Sequence, residues 1–78
     1  MPNFVQSSIP GVFYRRPNPQ ANEYCAVGDD IRSGDVIGLI EVMKNYFEVK
    51  AGCGGKVLRF LVEDGDVVDS DQPIAEIG

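Results

Sequence analysis

One lysine, Lys44, stands in apolar company at the centre of the stretch GLIEVMKNYFEV (residues 38–49). A buried lysine amine is costly, and an exposed one seldom has such apolar neighbours. The chain contains no histidine, which removes the commonest general base, and no nucleophile stands with a partner base. We therefore predict no catalytic residue, and the role of Lys44 depends on where the fold places its amine.

The length and the charge limit what the chain can do. Its 78 residues are enough for one domain. A domain of this size buries only about 60% of the surface of its unfolded chain, so its core is too thin to wall a deep cleft. Any chemistry then has to come from a partner or a carried group. Twelve acidic and seven basic residues give a net charge of −5, which argues against a surface for nucleic acid.

The N-terminus, the cysteines and the acidic residues indicate a cytoplasmic protein with no membrane contact and no metal site. Residues 1–4 lack the basic and apolar regions of a signal peptide, and no apolar run could span a bilayer. Cys25 and Cys53 are too few for a disulfide scaffold, and we expect separate thiols, one in a strand and one in a glycine-rich turn. The acidic residues between positions 63 and 71 lack the spacing of a calcium loop.

Short apolar runs separated by glycine, proline and aspartate predict an all-β protein. The candidate strands are Phe4–Gln6, Gly11–Tyr14, Tyr24–Ala26, Val36–Val42, Tyr46–Lys50, Lys56–Val62 and Ile74–Ile77. Apolar residues at helical spacing between positions 36 and 47 also allow an amphipathic helix. The β-branched residues and Gly38 in that stretch favour a strand instead.

An internal similarity supports the strand interpretation. The stretch VGDDIRSGDVIGLI is similar to VEDGDVVDSDQPIAEI, at an offset that drifts from 35 to 37 residues. The paired apolar positions are Val27 and Val62, Ile31 and Val67 or Val68, Ile37 and Ile74, and Ile40 and Ile77. Upstream, GVFY resembles GKVL at an offset of 44. The second copy carries Pro73 and Asp-Gly turns, which a helix tolerates poorly, so we expect both copies to be β units.

The change of offset locates an insertion of about eight residues in the first copy, between Tyr14 and Tyr24. The inserted sequence RRPNPQAN contains Pro17 and Pro19, which exclude a regular central strand. We expect a short, stiff loop that protrudes from the sheet.

The two copies are joined at Lys44. One strand ends near Val42 and the next begins near Tyr46, so Met43, Lys44 and Asn45 have to cross between them. Asparagine tolerates the backbone conformations that a tight turn requires. This places Lys44 at the tip of an exposed hairpin, with its amine in water.

Together these segments resemble the biotinyl domain of the biotin carboxyl carrier family, of the bacterial acetyl-CoA carboxylase type. EVMK stands where that family has Ala-Met-Lys-Met, PGVFYRRPNP resembles its start with a protruding thumb, and the two copies resemble its two half-barrels. The resemblance covers about residues 5–78. It implies a flattened β-barrel or sandwich of two four-stranded antiparallel sheets with pseudo-twofold symmetry. It also implies a single domain over residues 1–78, with a thumb segment at about residues 15–22.

In that family the lysine amine of the motif is biotinylated. The resemblance implies that Lys44 is the site of covalent biotin attachment and that Met43 is a flanking residue of the motif. An amide on Lys44 removes its charge and forms a long flexible arm. The chain would then be a non-catalytic carrier subunit of a biotin-dependent carboxylase. Its partners would be a biotin protein ligase, a biotin carboxylase and a carboxyltransferase, most simply that of acetyl-CoA carboxylase, which makes malonyl-CoA for fatty acid synthesis.

Two residues depart from the family motif, since Val42 replaces the usual alanine and Asn45 replaces the second methionine. Two alternatives therefore stay open. A lipoyl carrier domain shares the fold, but it usually has an acidic residue directly before the lysine. Here Met43 occupies that place, and the acid, Glu41, is three residues before Lys44. The other alternative is a protein-interaction module that keeps the fold without being modified.

Overall fold

The computed structural model describes residues 3–78 and shows an all-β chain, which confirms the predicted fold class. The strands are β1 Asn3–Gln6, β2 Gly11–Tyr14, β3 Asp30–Ile31, β4 Val36–Val42, β5 Asn45–Lys50, β6 Gly55–Phe60, β7 Val67–Val68 and β8 Pro73–Ile77. Within residues 3–78, no helix has the length and apolar character needed to cross a membrane.

Two four-stranded sheets enclose the core, as predicted. Their strand orders are β1-β8-β6-β3 and β5-β4-β2-β7, and every pair of neighbours is antiparallel. Because side chains alternate along a strand, each sheet turns one row of apolar residues towards the other sheet. The largest fully buried apolar side chains are Phe13, Ile37, Ile40, Val57, Val68, Ile74 and Ile77. The resulting body is flattened, with extents of 34 × 27 × 19 Å.

A pseudo-twofold axis relates two halves of the chain. The first half comprises β2–β5 (residues 11–54), and the second half comprises β6–β8 followed by β1 (residues 55–78 and 3–10). Each sheet contains three strands of one half and a two-residue edge strand of the other, so the two strand orders are equivalent. The halves therefore exchange their short strands, and each half forms the fourth strand of the other half's sheet.

The turns of the two halves repeat the same hydrogen bonds. The amide of Ala26 donates to the Asp29 carboxylate at 2.9 Å, and the amide of Glu63 donates to the Asp66 carboxylate at 2.9 Å. In each turn the aspartate amide also donates back, to the carbonyl three residues earlier, at 3.0 Å. Asp29 and Asp66 are thus equivalent residues, 37 positions apart.

The next turn of each half repeats in the same way. Gly34 and Asp71 occupy equivalent left-handed positions, with φ of 92° and 65°. The amide of Gly34 donates to the carbonyl of Ala51 at 2.7 Å, and the amide of Asp71 donates to that of Ser7 at 2.6 Å. Ala51 and Ser7 are both buried. What repeats is the backbone geometry, while the side chains differ.

The structure corrects the register of the predicted repeat. Equivalent turn residues are 37 positions apart throughout, so Val62 corresponds to Cys25 and not to Val27. Cys25 and Val62 are 6% and 8% exposed, whereas Val27 is 58% exposed. The predicted pairing of Val27 with Val62 was wrong, because equivalent positions of the two halves share their degree of burial but not their residue type. The insertion is accordingly seven residues, since Phe13 and Val57 are equivalent and eleven residues separate Phe13 from Cys25, whereas four separate Val57 from Val62.

Six of the seven predicted strands are present, with ends shifted by at most two residues. The predicted strand Tyr24–Ala26 is wrong, because the Tyr24 amide donates back to the Arg15 carbonyl at 2.9 Å and closes a loop. The stretch 36–47 forms β4, a turn and the start of β5, so the helical alternative was also wrong. β3 and β7 were not predicted, since two residues are too few to show an alternating pattern.

Candidate functional site

Lys44 lies in the two-residue turn between β4 and β5, at the tip of a hairpin. The strands pair up to Val42 and Asn45, which face each other across the turn. Met43 and Lys44 both have positive φ, of 50° and 68°. Positive φ at both central residues defines a type I′ turn, whose twist matches that of the flanking strands. The predicted tip position of Lys44 is therefore what the structure shows, with Lys44 exposed.

The turn is shorter than predicted. Asn45 is the first residue of β5 and pairs with Val42, so it does not help to turn the chain. The two residues that do turn are Met43 and Lys44, neither of which favours the left-handed region. For an L-residue with a Cβ, the left-handed conformation costs about 1–2 kcal/mol relative to the right-handed one. The register of β4 with β5 has to hold these two residues in place, and strained positions of this kind concentrate at functional sites.

The amine of Lys44 has no ion-pair partner within residues 3–78. Around it the hairpin exposes apolar side chains, with Met43 at 89%, Tyr46 at 59% and Phe47 at 48% exposure. The amine of Lys44 is accessible from solvent. The exposed apolar side chains beside it can contact another protein. The apolar company noted in the sequence thus surrounds Lys44 on the surface and not in the core.

An open groove of about 440 Å³ begins beside the hairpin. It is lined by two sets of residues: Tyr14, Leu39, Glu41, Tyr46 and Asp64 of the barrel, and Arg16, Pro17, Asn18 and Pro19 of the thumb segment. Glu41 and Tyr46 are paired directly across β4 and β5, next to the pair that closes the turn. The hairpin that carries Lys44 and the thumb segment, which are far apart in sequence, therefore line one groove.

The groove is lined by polar as well as apolar side chains. Burial, followed by the negative charge of the neighbouring Glu41, raises the pKa of Tyr14 above its ordinary value of 10.0. Its hydroxyl is therefore protonated at neutral pH and available as a donor. The sequence analysis did not bring Tyr14, Glu41 and Tyr46 together. These three residues lie on the neighbouring strands β2, β4 and β5, so their proximity can be recognised only once the register of the strands is known.

The thumb segment is a compact loop and not an extended one. The Asn18 side-chain oxygen accepts from the amide of Gln20 at 3.0 Å, and the Asn18 carbonyl accepts from the amide of Ala21 at 3.1 Å. Pro17 and Pro19 stand on either side of Asn18 and are exposed. These two bonds close a turn in the exposed part of the segment.

The two cysteines are free and play no part in the groove. Cys25 is buried outside any strand, contrary to prediction, and burial raises the pKa of its thiol. Cys53 is half-buried against the core, in the glycine-rich turn where it was expected. Its equivalent in the second half is Ile9, also partly buried, so Cys53 fills the place of an apolar residue.

The fold agrees with the comparison to protein families. The family model described as "Biotin-requiring enzyme" matches residues 3–77. The chain belongs to this family. Its similarity to biotin carboxyl carrier proteins of acetyl-CoA carboxylase is 35% identity over 75 residues for Haemophilus influenzae and 40% over 73 residues for Nostoc. These matches cover 96% and 94% of this chain, and the chain spans 48% and 40% of the two relatives.

Two solved structures of carboxylases contain a similar domain. The urea carboxylase of Kluyveromyces lactis matches all of this chain with a TM-score of 0.82 and 31% identity, over 6% of its own length. A single-chain, multi-domain long-chain acyl-CoA carboxylase matches 96% of this chain with a TM-score of 0.77. That match covers 7% of the larger chain at 21% identity, and it supports the fold alone.

Proposed function

We propose that this chain is a biotin carboxyl carrier in which the amine of Lys44 holds biotin through an amide bond. The observation that carries the proposal is the type I′ turn, which holds an unpaired lysine at the tip of the hairpin in a chain of the biotin-requiring family. Met43, which is almost fully exposed directly before Lys44, would serve as a flanking recognition residue.

The residues of the chain would act as a rigid mount. The Lys44 amine, once deprotonated, would attack the carboxyl carbon of an activated biotin and expel the activating group, and the new amide would lack the positive charge of the lysine. Pairing of β4 with β5 fixes the point from which the long arm starts. When bound, biotin supplies a ureido nitrogen that can carry a carboxyl group between enzymes. No residue of the chain is required to make or break a bond after attachment, so we propose a non-catalytic subunit.

The partners follow from this role. A biotin protein ligase would attach the biotin, a biotin carboxylase would add the carboxyl group, and a carboxyltransferase would remove it. The named relatives are carriers of acetyl-CoA carboxylase, and we propose acetyl-CoA as the acceptor on that basis. We also propose that residues 1–78 form one biotinyl domain with the thumb segment at residues 15–22; residues 1–2 lie outside the described part. A cytoplasmic location stays a prediction.

The test is the intact mass of the protein after incubation with a biotin protein ligase, ATP and biotin. We expect a gain of one biotinyl group, which peptide mapping assigns to Lys44. The Lys44→Arg variant should gain nothing. Lys50→Arg is the matched control, because Lys50 lies on the same hairpin but pairs with Glu48 at 3.7 Å, and it should be modified like the wild type.

An unmodified wild type, under conditions that fully modify a known carrier, would contradict the proposal. A biotinyl group mapped to Lys50 or Lys56 would contradict the assignment of Lys44 while leaving the family role in place.

A further inference from the structure

Arg15, the residue that follows β2, makes three side-chain contacts in different parts of the fold. Its guanidinium carbon lies 4.0 Å from the centroid of the Phe60 ring. Its Nη2 donates to the carbonyl of Cys25 at 3.2 Å, and its Nη1 lies 3.2 Å from a carboxylate oxygen of Glu23. A planar guanidinium can stack and donate sideways at the same time, which a lysine ammonium cannot do.

The backbone of Arg15 is held as well. Its amide donates to a carboxylate oxygen of Asp64 at 2.7 Å, and its carbonyl accepts from the amide of Tyr24 at 2.9 Å. Phe60 and Asp64 belong to the second half of the barrel. The Phe60 ring packs against the buried ring of Phe13, with 6.4 Å between the ring centroids. Arg15 therefore ties both ends of the thumb segment to the opposite half of the molecule.

The pseudo-twofold axis provides an internal comparison for this residue. Arg59 lies at the corresponding end of β6, since it pairs with Glu76 where Tyr14, the residue before Arg15, pairs with Leu39. The Arg59 side chain is 63% exposed and, among residues 3–78, bonds to Glu76 on the sheet surface at 2.7 Å, whereas that of Arg15 is 22% exposed. Of these two arginines, the one that begins the thumb segment contacts several parts of the fold, and the other stays on the sheet surface.

We propose that Arg15 is a positioning residue for carboxyl transfer, holding the thumb segment at a fixed place beside the Lys44 turn; this rests on the proposed carrier function. Arg16 to Pro19 line the same groove as Glu41 and Tyr46 of the Lys44 hairpin. An arm attached to Lys44 would meet this segment as a wall when it swings over that face of the barrel. A fixed wall limits the directions that the arm samples, so less conformational entropy is lost each time the arm is delivered to a partner.

The first experiment measures whether Arg15 holds the segment, and it needs no biotin. Hydrogen exchange of the Gln20 and Ala21 amides, which bond to Asn18, reports on opening of the segment. Arg15→Gln should speed their exchange by about tenfold, because local opening becomes easier while the barrel stays folded. Arg59→Gln, the matched control, should leave the exchange rates unchanged. Glu23→Gln, which keeps the Phe60 contact, should give a smaller increase and serves if Arg15→Gln fails to fold.

The second experiment uses the biotinylated variants as substrates of a biotin carboxylase. For Arg15→Gln we expect kcat to fall about fivefold with KM within about twofold of wild type, because the hairpin surface that docks is unchanged. Attachment of biotin by the ligase should proceed at the wild-type rate. Arg15→Lys should recover part of kcat, since an ammonium can face Phe60 or pair with Glu23 but cannot also reach the Cys25 carbonyl.

Two results would overturn the proposal. Unchanged exchange in Arg15→Gln would show that no clamp exists, and faster exchange with the same kcat as Arg59→Gln would show that the clamp is only structural. Failure of the wild type to accept biotin would instead overturn the proposed function and the kinetic role of Arg15 with it. The exchange measurement would still decide whether Arg15 anchors the segment.

Discussion

The two halves of the barrel share their turns but differ in what they display. Asp29 and Asp66 accept the same backbone hydrogen bonds, and Gly34 and Asp71 occupy the same left-handed position. Only the first half carries the thumb segment and a hairpin tip with a lysine. The scaffold is therefore built twice, while the candidate functional site is built once, from the features in which the first half departs from the second.

The hairpin itself shows the same contrast. β4 and β5 pair in the first half as β8 and β1 pair in the second, with an irregularity in the register at the equivalent point of each pair. A turn of two left-handed residues connects β4 to β5, whereas β8 and β1 lie at opposite ends of the sequence. The equivalent pairing holds without a turn, so the strained backbone of Met43 and Lys44 is not what holds the strands together.

The cores of the two halves fill equivalent positions with different side chains. In the first half Phe13 packs where a Cβ on Gly38 would overlap its ring. In the second half, Val57 takes the place of Phe13 and Ala75 takes the place of Gly38, and both are buried. The first half thus combines a phenylalanine with a glycine, and the second half combines the smaller valine with the larger alanine.

Gly38→Ala should break this arrangement and give the largest change in stability. Because the added methyl group meets the Phe13 ring and the Tyr14 carbonyl, we expect a loss of about 1–3 kcal/mol in the free energy of unfolding. Combined with Phe13→Val, which restores the pair found in the second half, part of the loss should be recovered. Urea denaturation of both single variants and the double variant measures the coupling.

Additive losses in that cycle would contradict the compensation between Phe13 and Gly38. Ala75→Gly is the control in the second half, where no ring overlaps the site and no coupling with Phe13→Val is expected.

Replacing the turn aspartates should give a smaller and equal effect in both halves. Asp29→Ala and Asp66→Ala each remove one side-chain acceptor of a backbone amide, at 2.9 Å in both turns. We expect each to lose about 1 kcal/mol, since the freed amide can bond to water at the surface. Thermal unfolding of the two variants side by side is the measurement. A difference of more than about 1 kcal/mol between them would show that the turns are not equivalent in energy.

The smallest effect concerns Cys25, whose equivalent in the second half is Val62. Burial raises the pKa of the Cys25 thiol, so the unfolded chain releases this proton at a lower pH than the folded chain. Its contribution to stability is fully present below about pH 9 and is lost as the pH rises through the folded pKa. Cys25→Val should flatten this alkaline loss while keeping stability at neutral pH. An unchanged slope above pH 9 would contradict the role of the thiol.

Much of the scaffold could be predicted because its signals are local. Alternation, glycine and proline located six strands, and the repeat indicated two halves. The register of the repeat failed at Val27 because residue type was compared where burial repeats. β3 and β7 were missed since each forms only by exchange between halves, and no local pattern marks such a pairing.

The candidate site was predictable in one part only. The tip position of Lys44 follows from the end of one apolar run and the start of the next. The anchoring of Arg15 to Phe60 and the groove beside Glu41 depend on contacts between the halves, which the sequence does not show. The turn was drawn one residue too long, because Asn45 has the side chain of a turn residue but lies in a strand.

The most direct test of the carrier role is transfer of labelled carboxyl from bicarbonate to the biotinylated chain by a biotin carboxylase and ATP. We predict one labelled carboxyl group per attached biotin, delivered to acetyl-CoA when a carboxyltransferase is added, and none on Lys44→Arg. A chain that carries biotin on Lys44 yet accepts no label, while a known carrier does, would contradict the account.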